Sequence, residues 1–306
     1  MIDTKERPKT YLQYRGLIER VERIFAEIAM NRCMVNDPFT SIAEKIYMDG
    51  PRFLECITAP RRQEPGLAKN AVDTAVISLG IAHAMGLADC TIHTLLLGSL
   101  LHDVGMFSIP QSMLPTKDLV KTEQRCILAH PIHGYNVILK KLRYHNRIGL
   151  VALQHHEYWN GTGYPQGLSG TAITLESRIV ALGAAFAAMT SPCSYRPSIT
   201  GHQAMNKLTG ALRTQFDPDM LQVFVGFMGI YPRGSLVRLN TGAIARVIEQ
   251  TELPLKPRIR ILADAAGEAS TEEPELTLTE EPYLGIIGEA EDKVWYTRER
   301  LYETRS

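Results

Sequence analysis

The chain has 306 residues, of which 45% are hydrophobic and 22% charged, a balance typical of a globular protein with a sizeable core. Its 33 basic and 33 acidic side chains cancel, so no basic excess is available to neutralise a nucleic-acid backbone, and we expect no DNA or RNA binding. The five cysteines form no CxxC pair, which argues against a disulfide framework and against a thiolate zinc site.

The N-terminus, MIDTKERPKTYLQYRG, is charged and lacks the apolar core of a signal peptide. No stretch reaches the roughly 18–20 uninterrupted apolar residues that a membrane-spanning helix needs. We therefore expect a protein of the reducing cytoplasm that is not attached to a membrane.

Most of the first three quarters of the chain has helical periodicity. Residues 15–29 place apolar side chains on one helical face, which favours a helix packed on the core, with a homodimer interface as the alternative. Residues 92–101 are apolar almost all round and predict a central buried helix that runs into His102 and Asp103, with Gly105 as its C-terminal glycine. Further helices are predicted over 70–86, 121–143 (locally disturbed by Pro131), 147–158 and 175–190, and from Asp217-Pro218 onward.

From about residue 230 the pattern changes to strands. Two apolar-polar alternations flank Asn240-Thr241-Gly242 and predict a β-hairpin. Further strands are predicted over 258–264 and 283–291, with the acidic stretch 268–281 as an exposed loop between them. The predicted fold is mainly α and divides into a helical N-terminal segment (1–60), a large helical domain (61–229) and a small β-rich C-terminal region (230–306).

Four of the nine histidines stand at the ends or starts of helical patterns. His102 is followed by Asp103 at the end of a buried helix, His130 precedes a proline, and His155 and His156 are adjacent near the end of another apolar helix. Imidazole and carboxylate together are the mixed ligand set that suits iron, manganese or zinc. The remaining histidines are expected to be hydrogen-bonded core side chains: His83, His93, His133, His145 and His202.

The stretch from His155 to Pro165 reads HHExxxGxGYP, with a His-Asp pair upstream and HPxxG between them. This ordered set resembles the HD-GYP family of bacterial cyclic di-GMP phosphodiesterases from about residue 65 to 229. The set is far more specific than any one of its motifs. The resemblance implies an HD-type helical bundle with a metal cluster between helices, where metals activate water to cut a phosphodiester bond of cyclic di-GMP. It also implies that the β-rich C-terminal region is the appendage that often follows this domain.

The sequence departs from the family's pattern on one side of the implied site. Asn70 stands where the family has its first histidine, and Met106 where it has a lysine that can contact substrate phosphate. Ala184 and Ala187 replace two aspartates, the first of which normally binds metal. One of the two implied metal positions therefore loses two ligands, at Asn70 and Ala184.

The other implied position keeps its ligands, Asp103, His130, His155 and His156, with His102 as a further candidate. We therefore predict one divalent metal per chain, iron, manganese or zinc, or none if the site is inactive. Asp103 is the one candidate for a catalytic role.

A loop over residues 160–167, the GYP loop, is predicted to contact a ligand or a partner protein. Two of its glycines (Gly161 and Gly163), an exposed tyrosine and a proline suit a structured contact loop, although a plain connector between helices has similar residues. Cys193 replaces a family arginine, while the Tyr195 and Arg196 that follow remain. The candidate contact residues are Asn160, Gly161, Gly163, Tyr164, Pro165, Tyr195 and Arg196.

These departures favour a degenerate signalling protein that binds cyclic di-GMP, a related dinucleotide or a partner protein with little or no hydrolysis. Loss of one metal and of the lysine removes several kcal/mol of transition-state stabilisation, and each 1.36 kcal/mol is tenfold in rate. Two alternatives stay open at this stage. One is a weak single-metal phosphodiesterase acting on cyclic di-GMP or another phosphorylated substrate, and the other is a scaffold whose histidine cluster binds nothing.

Overall fold

The computed structural model describes residues 7–30, 37–58, 65–109, 121–192, 197–270 and 272–290. Its helices, in chain order, are α1 (Arg7–Ala29), α2 (Pro38–Thr58), α3 (Leu67–Ala84), α4 (Asp89–Leu101), α5 (Lys121–Leu128), α6 (His130–Asn136), α7 (Asn146–Gln154), α8 (Leu175–Thr190), α9 (Gly201–Thr209) and α10 (Pro218–Met228). The strands that follow are β1 (Leu236–Leu239), β2 (Ile244–Glu249), β3 (Arg258–Ala263), β4 (Glu275–Thr277) and β5 (Ile286–Glu289). The predicted fold class, mainly helical with a small β-rich C-terminal region, is confirmed.

Helices α3 and α4 lie at the centre of the helical part. Helix α3 packs against α1, α2, α4, α8 and α10, and α4 against α2, α7 and α8. The apolar side chains of α4 are buried on nearly every side, as its sequence predicts. Helices α1 and α2 bury Val21, Phe25 and Phe39 in the same hydrophobic core, so the N-terminal helices belong to the body of the helical domain.

The helix predicted over residues 121–143 is interrupted. Helix α5 ends at Leu128, α6 begins at His130, and a π-helical turn follows over Val137–Lys141. Pro131 is the cause, because proline lacks a backbone N–H and fits only the first turn of a helix. The break places His130 at the start of α6.

The C-terminal strands form one antiparallel sheet in the order β4-β3-β2-β1-β5. Its own hydrophobic cluster includes Val237, Val247 and Ile259, which lie on neighbouring strands. The β1–β2 hairpin turns at Gly242, whose φ of 88° favours glycine, so the predicted hairpin is confirmed.

The acidic stretch 268–281 is not wholly a loop. Its centre forms β4, which pairs with β3 in the register Arg260↔Glu275. Glu275 accepts from Arg258 Nη2 at 2.7 Å and from Arg260 Nη2 at 2.5 Å, so charges that suggest a solvated loop instead bind a neighbouring strand.

One segment among the described residues, Asp89–Ser108, is long and apolar enough to cross a membrane by composition. In this fold it includes α4, and 61% of its most apolar window is buried inside the protein. A core helix passes the same test, so the segment is weak evidence for a membrane span.

A buried ion pair connects α1 to α3 and α8. Lys69 and Asp73 are paired one turn apart on α3, and the Tyr14 hydroxyl of α1 donates to Asp73. Lys69 Nζ also donates to Ser191 Oγ, at the end of α8, at 3.1 Å. Burial raises the pKa of Asp73, and Lys69 and Tyr14 act in the opposite direction. Charges this far from water depend on one another for stability.

We expect Asp73→Ala to lower the free energy of unfolding by about 3–5 kcal/mol, because it leaves the Lys69 ammonium buried without its carboxylate. Urea denaturation followed by circular dichroism measures the loss. The control is Asp49→Ala, which breaks the Lys45–Asp49 pair of the same spacing on α2, where Lys45 is 44% exposed. That more exposed pair contributes about 0.5 kcal/mol or less to the free energy of unfolding. Equal losses for the two variants would contradict the assignment.

Candidate metal centre

Four side chains from three separate segments converge between the helices. Asp103 follows α4, His130 begins α6, and His155 and His156 follow α7. One ligand atom from each lies within 4.8 Å of the other three. The structure thus brings together the four residues that the sequence predicts as metal ligands, in an arrangement that could hold a metal ion.

Gly105 makes this convergence possible. A Cβ at Gly105 would lie 2.0 Å from the carbonyl oxygen of His130 and 2.4 Å from the backbone nitrogen of Gly134. The predicted role of Gly105 as a helix C-terminal glycine is wrong, because α4 ends at Leu101 and Gly105 lies in a 3-10 turn. Its hydrogen atom instead allows α6 to pack against that turn.

The carboxylate of Asp103 is divided between two sets of neighbours. Its Oδ1 lies 3.2 Å from His130 Nε2 and 3.5 Å from His155 Nε2. Its Oδ2 lies 3.3 Å from His102 Nε2 and 3.5 Å from Asn70 Nδ2. One oxygen therefore faces the candidate ligands, and the other faces the side where the family's first metal position would be.

Backbone carbonyls fix the orientation of three imidazoles. His102 Nδ1 lies 2.7 Å from Ser99 O, and the matching distances are 2.6 Å for His130 and 2.8 Å for His155. Each carbonyl belongs to the residue three positions earlier. A carbonyl accepts a hydrogen bond from the Nδ1–H group, which leaves the Nε2 lone pair directed at the site. This is how proteins usually orient histidines that bind a metal.

Burial keeps two of the histidines neutral. It lowers the pKa of His155 to about 4 and that of His156 well below its ordinary value, with a further contribution from the neighbouring imidazoles. Burial alone would raise the pKa of Asp103, but His102, His130 and His155 outweigh it, so this pKa lies well below its usual range. Neutral imidazoles and an ionised carboxylate are the forms that bind a metal ion.

The four residues fit one iron, manganese or zinc ion, because they combine nitrogen donors with a carboxylate. His102 lies outside this group. It is 1% exposed, and its pKa is raised because Asp103 and the Ser99 carbonyl outweigh the effect of burial. The structure thus places His102 against the Asp103 oxygen that faces away from the other ligands.

The other implied metal position carries a different set of side chains. Asn70 Oδ1 is buried and has no hydrogen-bond partner in the described structure. The same is true of the hydroxyls of Thr74 and Ser78 further along α3. Ala184 and Ala187 lie on α8, which packs against α3, and Met106 lies in the 3-10 turn after Asp103. Among the described residues, no second group of histidine, cysteine or acidic side chains is arranged to hold a metal ion.

The GYP loop lies against the histidine cluster. The Tyr164 ring stacks on His156 with centroids 4.7 Å apart and an angle of 17° between the planes. Tyr164 is therefore half-buried, and the expectation of an exposed tyrosine is wrong. The peptide between Tyr164 and Pro165 is cis. A Cβ at Gly163 would lie 2.4 Å from the His156 carbonyl oxygen, so glycine permits this close approach.

Other predicted contact residues have structural partners. Asn160 Oδ1 accepts from the Thr162 backbone at 3.1 Å, and its Nδ2 donates to Thr214 Oγ1 at 3.3 Å. Gly161 adopts a φ of 79°, which glycine tolerates. Tyr195 and Arg196, together with Cys193, lie outside the described residues.

Glu157 is not among the site residues predicted from the sequence, although it belongs to the HHE motif. Its buried carboxylate accepts from the backbone N–H groups of Gln166 at 2.6 Å and Leu168 at 2.9 Å. The sequence signal for a role of Glu157 is its position next to two candidate ligands. Only the fold shows which groups it binds.

The five remaining histidines are not core residues, contrary to expectation. Four are exposed, and His202 is half-buried, with its ring stacked on Tyr231 at 4.2 Å. Helix ends and loops, rather than a buried helix face, carry most of them. None belongs to the four-residue cluster.

Comparison with known proteins agrees with this fold and site. Residues 59–220 match the model of the HD domain, and residues 236–293 match a KOW domain associated with the HD domain. The first match covers more than half of the sequence, and the chain belongs to the HD domain family.

Several relatives are cyclic di-GMP phosphodiesterases by name. PA4108 of Pseudomonas aeruginosa is 32% identical over 199 residues, which cover 64% of this chain and 48% of that protein. The response regulator RpfG of Xanthomonas campestris is 36% identical over 141 residues, 45% of this chain and 37% of that protein. The chain spans about half the length of these relatives or less.

The solved structure of Bd1817, an HDG"Y"P protein from Bdellovibrio bacteriovorus, has the same fold. The two share 18% identity and a TM-score of 0.52, over 69% of this chain and 68% of that one. At this identity the likeness shows the fold alone.

We expect protein purified anaerobically without chelator to hold about one iron, manganese or zinc ion per chain, measured by elemental analysis. Either His130→Ala or His155→Ala should abolish binding, because each removes a nitrogen donor from the cluster. His133→Ala is the matched control, since His133 lies on α6 beside His130 but is exposed. Two ions per chain, or unchanged metal content in His130→Ala, would contradict the predicted ligand set.

Proposed function

We propose that this protein is a degenerate HD-GYP signalling protein that binds cyclic di-GMP or a related dinucleotide at one metal position and hydrolyses it slowly or not at all. The observation that carries the proposal is that the two oxygens of the Asp103 carboxylate have different neighbours. One oxygen faces His130 and His155, whereas the other faces His102 and Asn70.

A single ion would be held by the four-residue cluster of Asp103 and three histidines. Such an ion supplies positive charge for a phosphate and lowers the pKa of bound water. The protein's own contribution is to keep two of these histidines neutral and to orient two of them through backbone carbonyls. These features support binding of an anionic phosphate at this position.

Hydrolysis requires more than binding. Charge that develops on the phosphate and on the leaving oxygen has to be stabilised in the transition state. Met106 offers no charge at the lysine position, and Ala184 offers no ligand at the aspartate position. Each 1.36 kcal/mol of stabilisation lost costs about tenfold in rate, so the combined loss predicts very slow turnover.

Relatives support a cyclic dinucleotide as the ligand. Their names include cyclic di-GMP phosphodiesterases and 3'3'-cGAMP-specific phosphodiesterases. The exposed residues of the GYP loop, Thr162, Gln166 and Gly167, also leave a surface for a protein partner. We further place the protein in the cytoplasm, where cyclic dinucleotides act as signals.

A weak single-metal phosphodiesterase is the second candidate. It is favoured by the survival of all four ligands at one position and by the phosphodiesterase names of the relatives. Its substrate would be cyclic di-GMP or another phosphorylated compound.

We expect the metal-loaded protein to bind cyclic di-GMP saturably in calorimetry while chromatography detects turnover far below the ~1 per second of ordinary enzymes. His130→Ala should weaken binding, because it removes the metal that holds the phosphate, and His133→Ala should not. Turnover of about 1 per second or faster would establish the phosphodiesterase instead. Failure to bind any cyclic dinucleotide would leave a scaffold.

We expect the combined substitution Asn70→His, Ala184→Asp and Met106→Lys to restore a second metal ion and measurable hydrolysis, because it supplies the two missing ligands and the missing charge. Metal content and product formation are measured on the same sample. Met106→Lys alone is the control: it adds the charge without a ligand, and the metal content should stay at one. If the triple variant gains neither metal nor activity, the site differs from the family's beyond these positions.

A further inference from the structure

Glu157 accepts hydrogen bonds from two backbone N–H groups at the C-terminal end of the GYP loop, an arrangement called the Glu157 clamp below. The side chain is 2% exposed, so its carboxylate must be satisfied by hydrogen bonds within the protein. Oε1 accepts from the Gln166 N–H, and Oε2 accepts from the N–H of Leu168, the residue that follows the loop. Hydrogen bonds to an ionised carboxylate are about twice as strong as neutral ones.

The loop makes a second set of contacts with the residue before Glu157. The Tyr164 N–H donates to the His156 carbonyl oxygen at 3.0 Å, and its ring stacks on the His156 imidazole. Gly163 approaches so closely that a Cβ there would lie 2.4 Å from the Tyr158 backbone nitrogen. The loop is thus fastened to the segment that carries a candidate metal ligand.

His156 links the loop to the metal centre. Its ring lies 4.1 Å from that of His155 and 5.0 Å from that of His130, centroid to centroid, and Tyr164 covers another side. The imidazole of His156 therefore contacts both the GYP loop and the other histidines of the cluster.

We propose that Glu157 is a positioning residue that couples the closed state of the GYP loop to metal binding by His156. The proposal rests on the proposed function, in which the four-residue cluster holds one metal ion. Metal binding stabilises the closed loop, and the closed loop strengthens metal binding, because coupling between two sites is reciprocal. The exposed loop residues Thr162, Gln166 and Gly167 then present a different surface to a partner when the site is filled.

The test measures amide hydrogen exchange with residue resolution, using Zn²⁺ alone as the probe. In the wild-type protein, saturating Zn²⁺ should slow exchange of the Gln166 and Leu168 amides by roughly 5- to 150-fold, the usual range of coupling between sites. The experiment needs no dinucleotide, so its outcome is separate from that of the binding and turnover assays. Unchanged exchange on saturation with Zn²⁺, or no Zn²⁺ binding, would overturn the proposal.

Glu157→Gln keeps the size of the side chain but removes its charge and places an amide NH₂ group against a backbone N–H. We expect this variant to bind Zn²⁺ about tenfold more weakly. Zn²⁺ should no longer protect the Gln166 and Leu168 amides, but it should still protect amides around His130. A purely structural role would instead change exchange throughout the domain. Glu176→Gln is the matched control, because Glu176 is also buried but pairs with Arg147.

Tyr164→Leu provides an independent variant if Glu157→Gln does not fold. It removes the ring that stacks on His156 and leaves the Glu157 clamp intact. We expect Zn²⁺ binding to weaken and the zinc-dependent protection of Gln166 and Leu168 to shrink. Protection equal to that of the wild-type protein in either variant would overturn the coupling.

Discussion

The site depends on one carboxylate at the end of a helix whose C-terminal half, residues 95–101, is buried on every side. Asp103 follows α4, whose burial fixes the position of the following turn. From there its two oxygens reach four side chains of α3, α4, α6 and the end of α7. Because close packing holds the C-terminal half of α4 in place, the short side chain that follows it can be placed within hydrogen-bonding distance of four partners.

The departures from the family's pattern have a common physical direction. Histidine and aspartate ligands give way to an amide and a methyl group on the α3–α8 side, and a lysine gives way to methionine. Each change removes charge or a metal ligand. Asn70 lies beside Asp103 Oδ2, whereas His130 and His155 lie beside Oδ1. Along α3, the buried oxygens of Asn70, Thr74 and Ser78 belong to polar groups that do not ionise, and His102 is the ionisable group beside Asp103 Oδ2.

Local sequence patterns were sufficient to predict much of this fold. The cap at Asp217, the all-round apolar α4 and the β1–β2 turn at Gly242 all depend on neighbours within a few residues, and each is where the sequence predicts it. The four clustered ligands could be named from motif order. The bounds of α2 within the predicted helical segment 1–60 were not predicted, and Gly50 and Pro51 interrupt its pattern. Strand β4 was missed because only its pairing with β3 makes it a strand. The inward turn of Tyr164 and the clamp of Glu157 depend on contacts across the loop, which spacing does not reveal.

The buried pair on α3 bears on what counts as one folding unit. The HD domain match begins at residue 59, after both N-terminal helices, yet Tyr14 of α1 binds the carboxylate of Asp73. Lys69, its ionic partner, immediately precedes Asn70, whose amide faces Asp103. The family match and the hydrophobic core are therefore different lengths of chain, because α1 and α2 lie before the match but within the core. The contacts of Tyr14, Asp73 and Lys69 extend from α1 to the residue that precedes Asn70.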